Sequence, residues 1–465
     1  MICNYANYVS KQKQKYINYV SIKKHMYDKE YVKRAISEFK KMKFPESIAR
    51  DINIDLSTNK IIVLAGIRRS GKTYEIFNII KNLLNNGIPE ENIFYVDFED
   101  ERFMGFKATD FDFLMDTFHS LTAVNENYQT YLFFDEIQNI ENWERPIRRL
   151  YDTNKYKIFL TGSSSKLLSA EISTSLAGRS ITYTVYPFSF KELLISRNFQ
   201  INELSIYSNL DKIKKYSEEY ISYGGFPEVS YADNPDTKKR IISSYYDSII
   251  FNDISKRYNI SNINMLRLVL GYSINSYASE FSASKLYNYL KSLNIEISKK
   301  TINDYLNYAE SAFFISMNPK YSNNYKKMNQ SRKKLYLMDN GFSLIFKKSD
   351  DMGKLMENCV YVDLLRISEK KQNTDVYFYH DKYEVDFVIT IENRIMAGIQ
   401  ACYYLNATNL NREVRSLQVF MDKYNIKNGI IITMEKDDLK IDDNRIKILY
   451  FYDWSLNIEK YIHKN

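Results

Sequence analysis

Between residues 46 and about 205, short continuous apolar runs alternate with stretches of helical spacing. The runs are Ile61-Ile62-Val63-Leu64-Ala65, Ile93-Phe94-Tyr95-Val96-Asp97, Tyr131-Leu132-Phe133-Phe134-Asp135 and Ile158-Phe159-Leu160-Thr161. Strands without polar alternation are covered on both faces, and parallel strands linked by helices provide that cover. The region is therefore predicted to be an α/β domain with a buried parallel sheet. Before it, residues 1–45 are polar and rich in Tyr and Lys, and end in a helical pattern of Tyr31, Ile36, Phe39 and Met42. Residues 206–275 read as helical. Over 276–345 a helix from Ser284 to Leu293 is followed by a second opening at Ser298, whose Ile302, Tyr305, Leu306 and Ala309 share one face. A basic segment and the strand Lys334–Met338 follow, an order that predicts a winged helix-turn-helix. Residues 346–465 return to mixed α/β, with strands near Val376–Tyr379, Val385–Thr390, Met396–Ala401 and Gly429–Thr433.

With 465 residues the chain exceeds what one core supports, in keeping with this division. No apolar run approaches the roughly 18 residues of a membrane-spanning helix. The N-terminal residues do not resemble a secretory signal, and Cys3, Cys359 and Cys402 form neither a disulfide nor a metal pattern, so a cytoplasmic protein without a membrane partner is expected. Four scattered histidines make a zinc site improbable. The net charge of +8 permits contact with nucleic acid without requiring it.

Candidate chemistry enters after the first strand. Gly66-Ile67-Arg68-Arg69-Ser70-Gly71-Lys72-Thr73 has the spacing of a phosphate-binding loop and opens a helical stretch at Tyr74. Its glycines let backbone N–H groups close around phosphates, the helix N-terminus adds positive potential, and Lys72 reaches the outer phosphates. Thr73 offers a hydroxyl to Mg2+. Two acids, Asp135 and Glu136, end a buried apolar strand, where they are costly unless they hold a cation or do chemistry. Asp135 is expected to hold the metal and Glu136 to polarise the attacking water, with Glu101 or Glu99 next in line for that role. The pattern thus predicts a site for ATP and Mg2+. Ser163 or Ser164, after the fourth strand, is a candidate γ-phosphate sensor; helix capping is the other reading. Arg179, after Gly178, is read either as an arginine finger, acting across a subunit boundary in a homo-oligomer, or as the partner of a carboxylate.

These motifs, together with Leu176-Ala-Gly-Arg179, Tyr186–Leu193, Tyr223-Gly-Gly-Phe-Pro-Glu228, Leu337-Met-Asp-Asn-Gly341, Glu357-Asn-Cys-Val360 and Glu384-Val-Asp-Phe387, resemble the archaeal and bacterial AAA-type P-loop ATPases with an uncharacterised C-terminal domain. The resemblance spans roughly 46–440. It implies an ATPase domain, a winged-helix middle and an end of restriction-endonuclease-like fold.

Lys299, Lys300, Asn303 and Asn307 lie off the apolar face of the second middle helix. Lys320, Lys326, Lys327, Arg332, Lys333 and Lys334 follow, interleaved with Tyr321 and Tyr325. They suit duplex DNA phosphates, or else a solvated face beside a protein partner. In the last domain Glu357 and Asp386 match the acids of a restriction-type site, but Gln400 and Cys402 stand where a second acid and a lysine are needed. No nuclease chemistry is expected, unless a lysine such as Lys382 substitutes in space.

Overall fold

The computed structural model describes residues 29–164, 176–324, 326, 328, 331–346, 351–438 and 440–462. Residues 1–28, Tyr325 and Lys327, which figure in the expectations above, lie outside the described residues. Five strands form the first sheet: β1 (Ile61–Ala65), β2 (Ile93–Asp97), β3 (Thr130–Asp135), β4 (Tyr156–Gly162) and β5 (Ser180–Thr184). All pair in parallel, in the order β2-β3-β4-β1-β5. The apolar runs are the strands because both sheet faces are covered. Val63 and Phe134 belong to one core, Ile62 and Phe133 to another on the opposite face. The sequence reading does not anticipate β5, since Ser-Ile-Thr-Tyr-Thr alternates instead of running apolar, and all but Thr184 are only partly buried. The order matters for the site. β4 lies between β1 and β3, so the loop after β1 and the acids after β3 flank the end of β4.

Helices follow at Glu203–Ser208, Leu210–Tyr223, Pro227–Tyr231 and Pro235–Ser248, then a π-helical segment, Ile249–Lys256. The chain then enters helix Ile263–Asn275. It continues through β6 (Ser279–Phe281), helices Ala283–Ser292 and Lys299–Ser311, β7 (Ile315–Pro319) and β8 (Lys333–Leu337), in an antiparallel sheet of order β6-β8-β7. Ile302, Tyr305, Leu306 and Ala309 are buried, as their spacing predicts. After helix Met352–Lys370, β9 (Thr374–His380), β10 (Glu384–Ile391) and β11 (Arg394–Ala401) form an antiparallel meander. The two-residue β12 (Tyr404–Leu405) and β14 (Glu435–Lys436) pair beside it. β13 (Gly429–Thr433) and β15 (Ile446–Tyr450) extend the meander in parallel, giving a mixed sheet.

The parts are not separate beads. Phe190 and Leu193, within the expected boundary of the first domain, share a core with Phe387, Phe451 and Trp454 of the last. Two glycine-containing motifs meet at Asp339, whose carboxylate accepts N–H bonds from Gly225 (2.7 Å) and Gly341 (2.8 Å). Gly224, at φ +78°, sits so close that a Cβ would fall 1.9 Å from Asp339 Oδ1, so only glycine fits. No helix among the described residues is long and apolar enough to cross a membrane.

Candidate functional site

The loop Gly66–Thr73 leaves the end of β1 and turns into helix Lys72–Asn85. Gly66 is required by a close approach: a Cβ there would lie 2.3 Å from the Val185 carbonyl oxygen. Gly71 is required by its dihedral, φ +102°, at the helix N-cap, so the first-turn N–H groups point back over the loop. Ile67 anchors the loop in the core. Arg50, which the sequence reading missed, braces the loop from outside. Its Nη1 donates to the Ser70 carbonyl at 2.9 Å, its Nη2 to the Tyr186 carbonyl, and its Nε to Glu192 Oε1 at 3.0 Å. Burial would raise the Glu192 carboxyl, but the Arg50 charge holds it below its usual range. An Arg preceding the first strand carries no motif, so only its contacts reveal it.

Lys72, Thr73, Asp135 and Glu136 converge. The buried Lys72 ammonium donates to the Gly66 carbonyl (3.1 Å) and the Ile67 carbonyl (3.3 Å), and lies 3.3 Å from Glu136 Oε1. Thr73 Oγ1 donates to Asp135 Oδ2 at 2.7 Å, and the Tyr95 hydroxyl to the same oxygen at 3.0 Å. The Thr161 hydroxyl donates to Asp135 Oδ1 and accepts from the Glu136 N–H at 2.9 Å. Thr161, read only as part of a strand end, thus fixes both acids. Burial and the Glu136 charge raise the Asp135 carboxyl. Burial acts the same way on Glu136, but Lys72 and Arg68 outweigh it and hold that carboxyl down. Burial and then Asp135 push Asp97, its register partner across β2 and β3, up to about 7.

The residues fit a magnesium polyphosphate. Among the described residues, the hydroxyl of Ser70 and the amide oxygen of Gln138 are buried without a hydrogen-bond partner, so the loop and the acids keep unused polar atoms at the site. Ser163 donates from Oγ to Asp253 Oδ1 at 2.6 Å and accepts from Gln138 Nε2 at 3.4 Å. Arg68 ion-pairs with Glu99 and Asp253, and Arg69, at φ +70°, lies over the Tyr245 ring at 5.8 Å. Tyr74 is half exposed, edge-on to Phe77.

Within its own chain Arg179 is paired with a carboxylate. Its Nε lies 3.3 Å from Asp152 Oδ1, the carboxylate pairing that was the other reading. It immediately precedes β5, whose Ser180 pairs with Ile61 at the start of β1, whereas the phosphate loop follows Ala65 at the other end. The length of a strand, roughly 13 Å, separates Arg179 from the loop.

Lys334 departs from expectation. It is not a solvated wing lysine: its side chain is 3% exposed and its ammonium lies 2.6 Å from Glu384, 3.0 Å from Glu357 and 3.2 Å from Asp386. It occupies the cationic place for which the sequence offered Lys382, which instead lies over the Tyr383 ring. Gln400 accepts from the Asp386 N–H at 2.8 Å and donates to Glu413 at 2.9 Å. Burial pushes the Cys402 thiol up to about 11.

A parallel sheet with a glycine-rich loop after β1 and acids after β3 defines a P-loop fold of AAA type. Residues 58–194 match the family described as AAA domain, and 214–350 and 352–454 match two domains of unknown function (DUF8612 and DUF4143). An uncharacterized protein of Methanocaldococcus jannaschii, MJ1544, is 38% identical over 88% of this chain and 91% of its own. An uncharacterized protein of Haemophilus influenzae is 31% identical over 86% and 95%. The chain belongs to the family of these two uncharacterized proteins. Among solved structures, Cdc6p from Pyrobaculum aerophilum is similar over 61% of this chain and 85% of that one, at 10% identity and a TM-score of 0.26. AMPPCP-bound DnaA from Aquifex aeolicus is similar over 54% and 81%, at 16% and 0.22. Both likenesses are distant.

Proposed function

We propose that this protein binds ATP with Mg2+ and hydrolyses it, and that its nucleotide state controls binding of DNA or of a protein partner. The convergence of Lys72, Thr73, Asp135 and Glu136 on one buried point carries the reading. The loop N–H groups and Lys72 hold the phosphates, and Thr73 and Asp135 hold the metal, which neutralises phosphate charge. Glu136, kept ionised by Lys72 and Arg68, orients the attacking water and accepts its proton. Lys72 then exchanges its present acceptors, two carbonyls and Glu136, for phosphate oxygens, which frees Glu136 to act.

The unit from helix Ile263–Asn275 to β8 has the element order of a winged helix, with exposed Lys299, Lys300 and Lys326 as its phosphate contacts. A second reading, a nucleotide-switched scaffold without a nucleic-acid role, is favoured by the withdrawal of Lys334 into the carboxylate cluster. ATPase turnover with and without duplex DNA separates the two. Stimulation supports coupling to DNA, and indifference, with no gel shift in either nucleotide state, supports the scaffold. The affinity of any DNA complex is expected to fall steeply with salt, and neutralising Lys326 and Lys333 flattens that slope.

A further inference from the structure

Asp253 belongs to none of the motifs above, yet it sits at the phosphate loop. It lies in the π-helical segment Ile249–Lys256, a rare wide-turned helix often found at functional sites. It is 2% exposed, and each carboxylate oxygen is engaged: Oδ2 by Arg68 Nε at 3.1 Å, Oδ1 by the Ser163 hydroxyl at 2.6 Å. Both contacts lead into the nucleotide site. Arg68 is the third residue of the loop, and its charge is felt by Glu136. Ser163 accepts from Gln138, which in turn donates to Glu136 Oε2. An unbroken chain therefore runs from the helical region through Asp253, Ser163 and Gln138 to Glu136 and Lys72. A second contact runs alongside: Arg69 stacks on Tyr245, whose hydroxyl donates to Glu228.

We propose that Asp253 is the positioning residue through which the helical region senses the outermost phosphate of the bound nucleotide. The inference rests on the nucleotide-binding reading of the site. In the present arrangement Asp253 satisfies one guanidinium and one hydroxyl that a phosphate would otherwise bind. A phosphate carrying about two negative charges competes for the same donors, and charge-assisted bonds of this kind are the strong ones. ATP, with its third phosphate, draws Arg68 and Ser163 away and loosens the π-helical segment. ADP, a phosphate shorter, leaves them on Asp253. By linkage, the energy that Asp253 holds back from the phosphate is the energy with which ATP moves the helical region. A buried aspartate on a separate element thus discriminates ATP from ADP without being part of the loop.

The test uses the full-length protein and Asp253→Asn, which keeps the shape and removes the charge. Calorimetry with Mg2+ is expected to show ATP affinity rising about tenfold in the variant while ADP affinity stays put, the size of one lost charged competitor. A role confined to stability would not change the ATP-to-ADP ratio, so an unchanged ratio in the folded variant overturns the proposal. Hydrogen exchange in the wild type gives a readout that needs no variant. Exchange at 249–256 should accelerate with a non-hydrolysable ATP analogue and not with ADP, and equal exchange in both states overturns the proposal. Wild-type protein that binds no Mg-ATP overturns the nucleotide-site reading itself, whereas binding and turnover with an unchanged ratio overturn the role of Asp253 alone.

Discussion

The Lys334 ammonium lies 3.0 Å from Glu357 Oε1, joining a strand of the middle unit to a helix of the C-terminal domain. Glu384 and Asp386 complete the ring around it, and the Tyr336 hydroxyl donates to Glu357 at 2.7 Å. Burial would strip Lys334 of its proton, but the three carboxylates outweigh it and raise its affinity for that proton. One buried cation therefore sits among three carboxylates drawn from two separate elements.

Lys334→Met leaves those acids without their cation, and breaking a buried pair from one side costs about 3–5 kcal/mol. Chemical denaturation should register a loss of that order. With the carboxylates committed to Lys334, and with Gln400 and Cys402 where an acid and a lysine are needed, no Mg2+- or Mn2+-dependent DNA cleavage is expected. Cleavage by the purified protein that disappears in Asp386→Ala would reverse that conclusion.

Lys72→Ala removes the ammonium that now rests on the loop carbonyls, the only lysine of the loop. Mg-ATP binding measured by calorimetry is expected to vanish. Undiminished binding would move the nucleotide elsewhere.

Glu136→Gln keeps the side chain's shape and its left-handed backbone, φ +50°, but removes the base. Binding is expected to persist while turnover falls by about 10²-fold or more. If turnover scarcely changes, the base lies elsewhere; Glu99 pairs with Arg68 and is the nearer alternative to Glu101.

In its own chain Arg179 pairs with Asp152 away from the loop, so a role as an arginine finger requires a subunit boundary. Mixing Arg179→Ala with Lys72→Ala protein should then restore part of the ATPase activity. Absence of rescue at every ratio would leave Arg179 as a surface ion-pair residue.

Asp339 makes stability depend on pH. Burial pushes its carboxyl up to about 7, against 3.8 ordinarily, although the Gly225 and Gly341 N–H groups pull the other way. The folded protein thus holds a proton that the unfolded chain has released, so stability declines as pH rises from about 4 to about 7. Thermal melts across that range should show the Tm of the wild type falling relative to that of Asp339→Asn.

Much of the first domain was legible in the sequence because its signals are local. Ile61–Ala65 is apolar throughout because the strand is covered on both sides, and Gly66–Thr73 needs its residue types at fixed spacing to fold around phosphates. Asp135 and Glu136 stood out because two acids ending a buried apolar strand are costly unless they hold a cation or do chemistry. Tertiary structure decided what depends on elements distant along the chain. Arg50 reaches Ser70 across 20 residues, Asp253 reaches Arg68 across 185, and Lys334 reaches Asp386 across 52. Lys334 shows the physical reason most clearly. A lysine in a basic stretch has the same sequence signature whether it faces water or three carboxylates, and only the packing of β8 against the last domain chooses between them.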